Sequence, residues 1–223
     1  MKGFLFITDD GSHSIHSEQF GVSYHSRHGA IQETQHVFIE RALLFKAQAQ
    51  QQLQLLEIGF GTGLNALMSL MAAEQHQLQL HYTSIEAYPI PVEQAKTLNF
   101  CAQLQSPQFE DHFLQMHQCA WEQPHPLHPN FTFLKSQQHF EALRYQQTFD
   151  IIYFDAFAPN AQPELWERPM LQKMYDALRP GGVLTTYCAK GVVKRILKAI
   201  GFELESLPGP PGKREMTRVI RPE

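Results

Sequence analysis

The feature that most constrains the fold is a glycine-rich segment between an apolar run and a helical pattern. The apolar run ends at Ile58, Gly59, Gly61 and Gly63 follow at alternate positions, and Leu64–Ala73 has helical spacing. Glycines allow a tight turn and a close approach of a ligand to the amides at a helix N-terminus. The segment therefore predicts a strand–loop–helix unit of an α/β sheet with a ligand site at the loop.

The spacing of the glycines indicates the class of ligand. Dinucleotide-binding loops use GxGxxG, whereas here the third glycine comes one residue earlier and an acid precedes the loop. The pattern ExGxGxG resembles motif I of the class I S-adenosylmethionine methyltransferases, and a tight turn without a ligand is the alternative. The residues of this segment that we expect to bind the cofactor are Glu57, Gly59, Phe60, Gly61, Gly63 and Asn65.

A second candidate is Glu86, which directly follows the strand-like run Leu78–Ile85. A carboxylate at the tip of the second strand can accept hydrogen bonds from both hydroxyls of a ribose. A nicotinamide-dinucleotide enzyme would share this acid, so the glycine spacing decides, and the predicted cofactor is S-adenosyl-L-methionine. The alternative for Glu86 is a solvated acid in a loop.

A third candidate, Asp155, ends the buried strand Phe149–Phe154. Ligands of open α/β sheets bind at the carboxyl ends of the strands, so we expect Asp155 to face the cofactor. A carboxylate beside an amine can orient it and accept its proton. An aspartate that caps the following turn is the alternative.

Strands and helices alternate along the chain, which predicts an α/β sheet that is largely parallel and covered on both faces. We expect a Rossmann-like, seven-stranded sheet over residues 51–223, with an antiparallel C-terminal hairpin. Residues 1–50 are predicted to form a small N-terminal β extension and a helix packed on the main domain. Other predicted strands are Phe4–Thr8, Phe20–Tyr24, Leu53–Ile58, Phe131–Leu134, Val183–Tyr187, Phe202–Leu207 and Met216–Ile220, and the other helices are Glu33–Ala49, Val92–Leu104, Gln138–Tyr145, Leu165–Leu178 and Val192–Ile200.

Charge is unevenly distributed along the chain. The formal net charge is −4, but residues 190–223 carry eight basic and four acidic side chains and the rest of the chain is strongly acidic. Lys213 and Arg214 lie in a turn rich in proline and glycine, from which they can project toward phosphates. A solvated helix face is the alternative for the basic run.

Cysteine usage and hydropathy indicate the compartment. Three cysteines form no regular framework, which is typical of free thiols in a reducing cytosol. No apolar run approaches the roughly 20 residues that a membrane span needs. We expect a cytoplasmic protein without membrane contact, and the scattered histidines and cysteines match no zinc-site spacing.

Several motifs, in this order, resemble one family of methyltransferases. They are GFGTGLN (Gly59–Asn65), DAFAP (Asp155–Pro159), RPGG (Arg179–Gly182) and GKREM (Gly212–Met216). The family comprises the methyltransferase domain of the bifunctional tRNA-modification enzyme MnmC and its stand-alone form, MnmD. The resemblance extends from about Asp10 to Arg218.

The resemblance implies methylation of the 5-aminomethyl group of 2-thiouridine at the tRNA wobble position, giving 5-methylaminomethyl-2-thiouridine. It implies that the three glycines line the methionine part of the cofactor, that Glu86 binds the ribose and that Asp155 meets the amine. Bifunctional relatives carry a second, FAD-dependent oxidase domain. Because the chain ends soon after the methyltransferase pattern, we expect a separate enzyme to supply the aminomethyl intermediate.

Further contacts follow from the same resemblance. Phe157, Pro159 and Trp166 are candidates for contacting the substrate base, with ordinary packing as the alternative. Many class I enzymes have an acid after the third strand, near the adenine, but this chain has none there, and Ser136 is the candidate.

Two other functions remain open from the sequence. One is a methyltransferase of the same fold that acts on a small-molecule or protein amine. The other is a non-catalytic, cofactor-binding scaffold, against which the retention of both Glu86 and Asp155 argues.

Overall fold

A computed structural model describes residues 3–223; residues 1 and 2, at the start of the predicted extension, lie outside it. The chain begins with a three-stranded antiparallel sheet in the order β1-β2-β3. The sequence predicted the first strand, and it predicted the last strand as longer than it is. It missed the middle strand, because the only apolar residue there is the buried Ile15. These strands are β1 (Gly3–Ile7), β2 (His13–Ser17) and β3 (Val22–Ser23).

A continuous helical run then packs against the central sheet. It starts as α1 (Ala30–Thr34), widens into a π-helical segment (Gln35–Leu44) and ends as α2 (Phe45–Ala47). Val37 and Phe38 are buried on its inner side. The predicted helix Glu33–Ala49 is confirmed, with an earlier start.

The centre of the molecule is an eight-stranded sheet. Its strands are β4 (Gln52–Ile58), β5 (Gln79–Ile85), β6 (Pro124–His128), β7 (Phe131–Ser136), β8 (Phe149–Phe154), β9 (Leu178–Thr186), β10 (Glu203–Pro208) and β11 (Glu215–Ile220). They are arranged in the order β10-β11-β9-β8-β4-β5-β7-β6. The five strands from β9 to β7 are mutually parallel, and β10–β11 form the predicted antiparallel hairpin at one edge.

The eighth strand, β6, was not predicted. It pairs antiparallel with β7 at the opposite edge. Pro124 and Pro126 obscured it, because proline cannot donate to a sheet ladder and is tolerated only on an edge strand. The seven predicted strands are all present beside it.

The sheet is covered on both faces, as expected. Successive residues of one strand point to opposite sides, so Leu55 belongs to one hydrophobic cluster and Leu56 to the other. The covering helices are α3 (Leu64–Gln75), α4 (Val92–Ala95), α5 (Phe100–Gln103), α6 (Glu110–Gln118), α7 (Arg168–Ala177) and α8 (Gly191–Ile200).

Three predicted helices differ from the observed ones. The helix Val92–Leu104 is broken into α4 and α5, and the helix Leu165–Leu178 begins only at Arg168, after a 3-10 turn. The prediction of a helix at Gln138–Tyr145 is wrong. This segment contains only a single 3-10 turn, Phe140–Ala142, between residues with extended backbone. Among residues 3–223, no helix combines the length and apolarity needed to cross a bilayer.

Candidate active site

Three backbone hydrogen bonds continue the central sheet beyond its strands and align the candidate residues. Gly59 donates its amide to Ile85 (2.9 Å), Asp155 donates to Ile58 (3.1 Å), and Glu86 donates to the carbonyl of Ser136 (3.0 Å). The ends of β4, β5 and β8 therefore place Gly59, Glu86 and Asp155 side by side at one edge.

A cavity of about 360 Å³ opens at this edge. Of the residues predicted from sequence, its wall contains Gly59, Phe60, Gly61, Asn65, Glu86, Asp155, Phe157 and Lys213. The predicted residues that do not line it are Glu57, Gly63, Ser136, Pro159, Trp166 and Arg214. The structure thus brings together the three motifs that follow β4, β5 and β8, together with one residue of the C-terminal hairpin.

Two of the loop glycines have a physical reason to be glycine. Gly61 has φ +52°, and a Cβ there would lie 2.9 Å from Cδ1 of Tyr24. Gly63 begins α3 with φ +79°, and a Cβ would lie 2.8 Å from Nε2 of His117. His117 donates from Nε2 to the carbonyl of Thr62 (3.2 Å), and burial lowers its pKa to about 4, so a neutral imidazole supports the loop.

Glu86 ties the loop after β4 to the loop after β5. Its carboxylate accepts hydrogen bonds from the amides of Gly61 (2.9 Å) and Tyr88 (2.8 Å). Burial raises its pKa, and these amides oppose that shift because they favour the ionised form. Each carboxylate oxygen has a second lone pair, so Glu86 can still accept hydrogen bonds from a ligand in the cavity.

Asp155 is a second carboxyl group in the cavity wall. One carboxylate oxygen, Oδ2, accepts a hydrogen bond from Nδ2 of Asn65 (2.8 Å). Burial raises its pKa to about 7, and the nearby charge of Glu33 adds to the shift. A carboxyl group that titrates near neutral pH can exchange a proton with a bound amine.

An ion pair between distant parts of the chain crosses this wall. Nζ of Lys213 contacts Oε1 of Glu33 and lies 4.0 Å from the ring centroid of Tyr187. The other oxygen of Glu33 accepts a hydrogen bond from the amide of Ser26 (3.0 Å). Lys213 therefore lies in the cavity wall, paired with a carboxylate, and its contact with a phosphate stays a prediction.

Sequence reasoning assigned no role to Glu33. The signal in the sequence was the Glu33–Thr34 dipeptide, which lies in the N-terminal part of the stretch that resembles the methyltransferase family. A charge on this helix could not be connected with Lys213, because 180 positions separate the two residues.

Glu57 is the first predicted cofactor residue that needs correction. It has no exposed surface, accepts a hydrogen bond from Ser84 (2.6 Å) and lies behind the cavity wall. Burial raises its pKa to about 8. Its carboxyl group is mainly protonated at neutral pH and belongs to the core below the site.

Trp166, Ser136 and Pro159 also differ from expectation. The indole of Trp166 is 3% exposed and donates from Nε1 to the carbonyl of Phe157 (2.7 Å), so it supports the loop and offers no stacking surface. Ser136 is buried outside the cavity, where its hydroxyl donates to Glu122 (2.6 Å). Pro159 is partly exposed and lies outside the cavity wall.

Four aromatic side chains form a contiguous part of the cavity wall. Phe157 lies 4.9 Å from Phe20 and 5.0 Å from Tyr24, and Phe20 lies 5.5 Å from Tyr88, measured between ring centroids. Flat apolar faces of this kind suit the stacking of a base. The N-terminal segment thus supplies two rings that sequence analysis had not assigned to the site.

Fold, cavity and family comparison define the class of protein. Residues 126–222 match a family described as S-adenosyl-L-methionine-dependent methyltransferase. The sheet order, the glycine-rich loop and the acid after the next strand agree with that description. The chain therefore has the class I methyltransferase fold, and its C-terminal part matches the S-adenosyl-L-methionine-dependent family.

Within this class, the chain matches the methyltransferase portion of the bifunctional MnmC proteins. It is 32% identical to the tRNA 5-methylaminomethyl-2-thiouridine biosynthesis bifunctional protein MnmC of Aromatoleum aromaticum, over 96% of this chain and 34% of the relative. It is also 32% identical to MnmC of Leptospira interrogans, over 90% of this chain and 32% of the relative. The chain therefore spans about a third of the length of these curated relatives.

A solved structure supports the fold. MnmC2 from Aquifex aeolicus superimposes with a TM-score of 0.79 at 21% identity, covering 100% of this chain and 72% of that one. This likeness confirms the α/β architecture, including the N-terminal part of the chain.

Proposed function

We propose that this protein transfers a methyl group to the primary amine of 5-aminomethyl-2-thiouridine at the wobble position of tRNA, giving 5-methylaminomethyl-2-thiouridine. The observation that carries the proposal is the position of Asp155 in the cavity wall, with a pKa near 7. Support comes from the MnmC relatives, whose names specify biosynthesis of that nucleoside.

The cavity residues fit S-adenosyl-L-methionine. Gly59 and Gly61 line the cavity without side chains, and a Cβ at either would lie 2.9 Å from an atom of Asp155 or Tyr24. The nearly buried carboxylate of Glu86 borders the same space. We assign Gly59, Phe60 and Gly61 to the methionine part and Glu86 to the ribose hydroxyls. When bound, the cofactor supplies a methyl group on a sulfonium centre.

Asp155 prepares the substrate amine. An alkylammonium ion has no lone pair, so it must lose a proton before it can act as a nucleophile. The ionised carboxylate of Asp155 attracts the ammonium ion, accepts one proton and leaves a neutral amine held by a hydrogen bond. The same carboxyl group can return that proton to water once the methylated amine leaves.

A methyl-transfer assay with defined tRNA tests the proposal. Purified protein with labelled cofactor should methylate tRNA that carries 5-aminomethyl-2-thiouridine, and nucleoside mass spectrometry should identify the methylaminomethyl product. Transfer of the label only to small-molecule or protein amines would favour the other methyltransferase hypothesis. Cofactor binding without transfer to any amine would favour a scaffold.

We also propose which part of the basic segment contacts RNA. Lys194, Arg218 and Lys213 form salt bridges with Glu215, Glu205 and Glu33. Within residues 3–223, the exposed bases of this segment that form no salt bridge are Lys190, Arg195, Lys198 and Arg214. Lys213 lies in the cavity wall, and Arg214 is its neighbour in sequence. Arg214 is therefore the candidate for contacting a phosphate near the wobble nucleotide.

Removing that charge should change RNA binding in a measurable way. We expect Arg214→Ala to weaken tRNA binding and to reduce the log–log salt slope by about 0.7–0.9, the value for one lost phosphate contact. Filter binding at several salt concentrations measures both. Lys198→Ala, which removes an exposed charge from the last turn of α8, is the matched control. An unchanged slope for Arg214→Ala would exclude Arg214 as a phosphate contact.

Two partner assignments belong to the same proposal. Methyl transfer consumes an amine and cannot create one, so a separate enzyme is proposed to supply the aminomethyl nucleoside. Since tRNA is the proposed substrate, the cytoplasm is the proposed location.

A further inference from the structure

Two buried side chains connect the N-terminal helix to Asp155. Oγ1 of Thr34, on α1, donates a hydrogen bond to Oδ1 of Asn65 (2.9 Å). Nδ2 of Asn65 then donates to Oδ2 of Asp155 (2.8 Å). Thr34 is 1% exposed and Asn65 is 4% exposed, so water competes little with either bond.

When Asp155 is ionised, the hydrogen bonds allow only one orientation of the Asn65 amide. A carboxylate accepts hydrogen bonds and cannot donate them, so the amide nitrogen of Asn65 must face it. The amide oxygen then faces Thr34, whose hydroxyl donates to it. A rotated amide would place two acceptor oxygens, those of Asn65 and Asp155, against each other.

The consequence concerns which oxygen of Asp155 is available. Asn65 uses one lone pair of Oδ2, and Asp155 borders the cavity, so Oδ1 offers a ligand more acceptor capacity than Oδ2 does. The same hydrogen bond opposes the effect of burial on the pKa of Asp155, because it favours the ionised carboxylate. The Asn65 amide thus fixes the direction of the carboxylate, while its pKa also depends on burial and on the charges of Glu33 and Lys213.

We propose that Asn65 and Thr34 are positioning residues: Asn65 aims Oδ1 of Asp155 at the substrate amine, and Thr34 fixes the orientation of the Asn65 amide. Asn65 was predicted from sequence as a cofactor-binding residue, and the hydrogen bonds give it this further role. The inference rests on the proposed function of Asp155.

Kinetics of two near-isosteric variants test the proposal. Asn65→Leu removes the donor to Asp155, and we expect kcat to fall by about ten- to a hundredfold, the range for a lost hydrogen bond to a charged group. Thr34→Val removes only the hydroxyl and should lower kcat by about tenfold, and Thr34→Ser should restore it. In Thr34→Val the Kd of the cofactor should change little, because Thr34 lies outside the cavity wall.

A second measurement does not depend on methyl transfer. In protein with ¹³C-labelled aspartate, NMR titration of Asp155 should show a higher pKa in Asn65→Leu than in the wild type, because a stabilising donor is missing. Failure of the wild type to methylate tRNA would overturn the proposed substrate and leave this titration interpretable.

The control is another buried hydroxyl on α3. Ser69 is fully buried and its Oγ lies 3.3 Å from the hydroxyl of Tyr153, away from the cavity wall. Ser69→Ala should keep both kcat and the Asp155 titration. The proposal is wrong if folded Asn65→Leu and Thr34→Val retain wild-type kcat and the wild-type titration, or if Ser69→Ala reproduces their losses.

Discussion

Replacing Asp155 by asparagine should lower kcat for tRNA methylation by about 10²–10⁴-fold, the range typical for loss of a general base. The amide keeps the shape of the side chain but cannot accept the proton of the substrate ammonium ion. Cofactor binding should persist, because Glu86 and the glycine-rich loop remain intact. Steady-state kinetics with saturating tRNA, together with calorimetry for the cofactor, separate the two effects.

The pH dependence of the same variant provides a sharper test. Asp155 has a pKa of about 7 in the folded protein, so the wild-type rate should rise as the pH increases through 7 and the carboxylate forms. Asp155→Asn should lack this rise. Parallel losses of kcat and of cofactor affinity would instead identify Asp155 as a binding residue.

Unfolding is a poor alternative explanation for that loss of activity. The pKa of the Asp155 carboxyl group is higher in the folded protein than in the unfolded chain. Its contribution to stability is therefore full below the unfolded-state pKa and is lost as the pH rises through the folded-state pKa. Above pH 7 the neutral amide avoids the burial of a charge. Thermal denaturation at pH 8 should therefore show Asp155→Asn at least as stable as the wild type.

Sequence predicts the parts of this site that depend on local pattern. The glycines, Glu86 and Asp155 each follow an apolar strand directly, and parallel strands bring their carboxyl ends to one edge. The pairing of β4 with β5 and β8 is therefore enough to place all of them together.

The parts that sequence does not predict depend on contacts between distant segments. Glu33 gains its role only because the C-terminal hairpin delivers Lys213 to it. Trp166 has an aromatic ring that could stack on a base, but neighbouring residues bury this ring. The apolar spacing of Phe140 and Leu143 favours a helix, but both side chains enter the core from a single turn.

Loss of the Glu86 carboxylate should have the largest effect on cofactor binding. We expect Glu86→Gln to raise the Kd for S-adenosyl-L-methionine by about ten- to a hundredfold, because hydrogen bonds to a charged acceptor contribute about 1.5–3 kcal/mol. In the wild type the backbone amides of Gly61 and Tyr88 each donate to one oxygen of Glu86. In Glu86→Gln the side-chain NH2 group replaces one of these oxygens, so two hydrogen-bond donors would face each other. The ribose contact and the loop that surrounds it should weaken together.

The other carboxyl group of this region, Glu57, gives the matched control. It lies within β4, outside the cavity wall, and burial raises its pKa to about 8. At pH 7 a protonated carboxyl group and an amide are both neutral, so Glu57→Gln should retain the cofactor Kd. Calorimetry on both variants distinguishes an acid that contacts the ligand from one that lies in the core beneath it. Loss of affinity in Glu57→Gln with retention in Glu86→Gln would reverse the assignment and place the ribose contact at the end of β4 instead of β5.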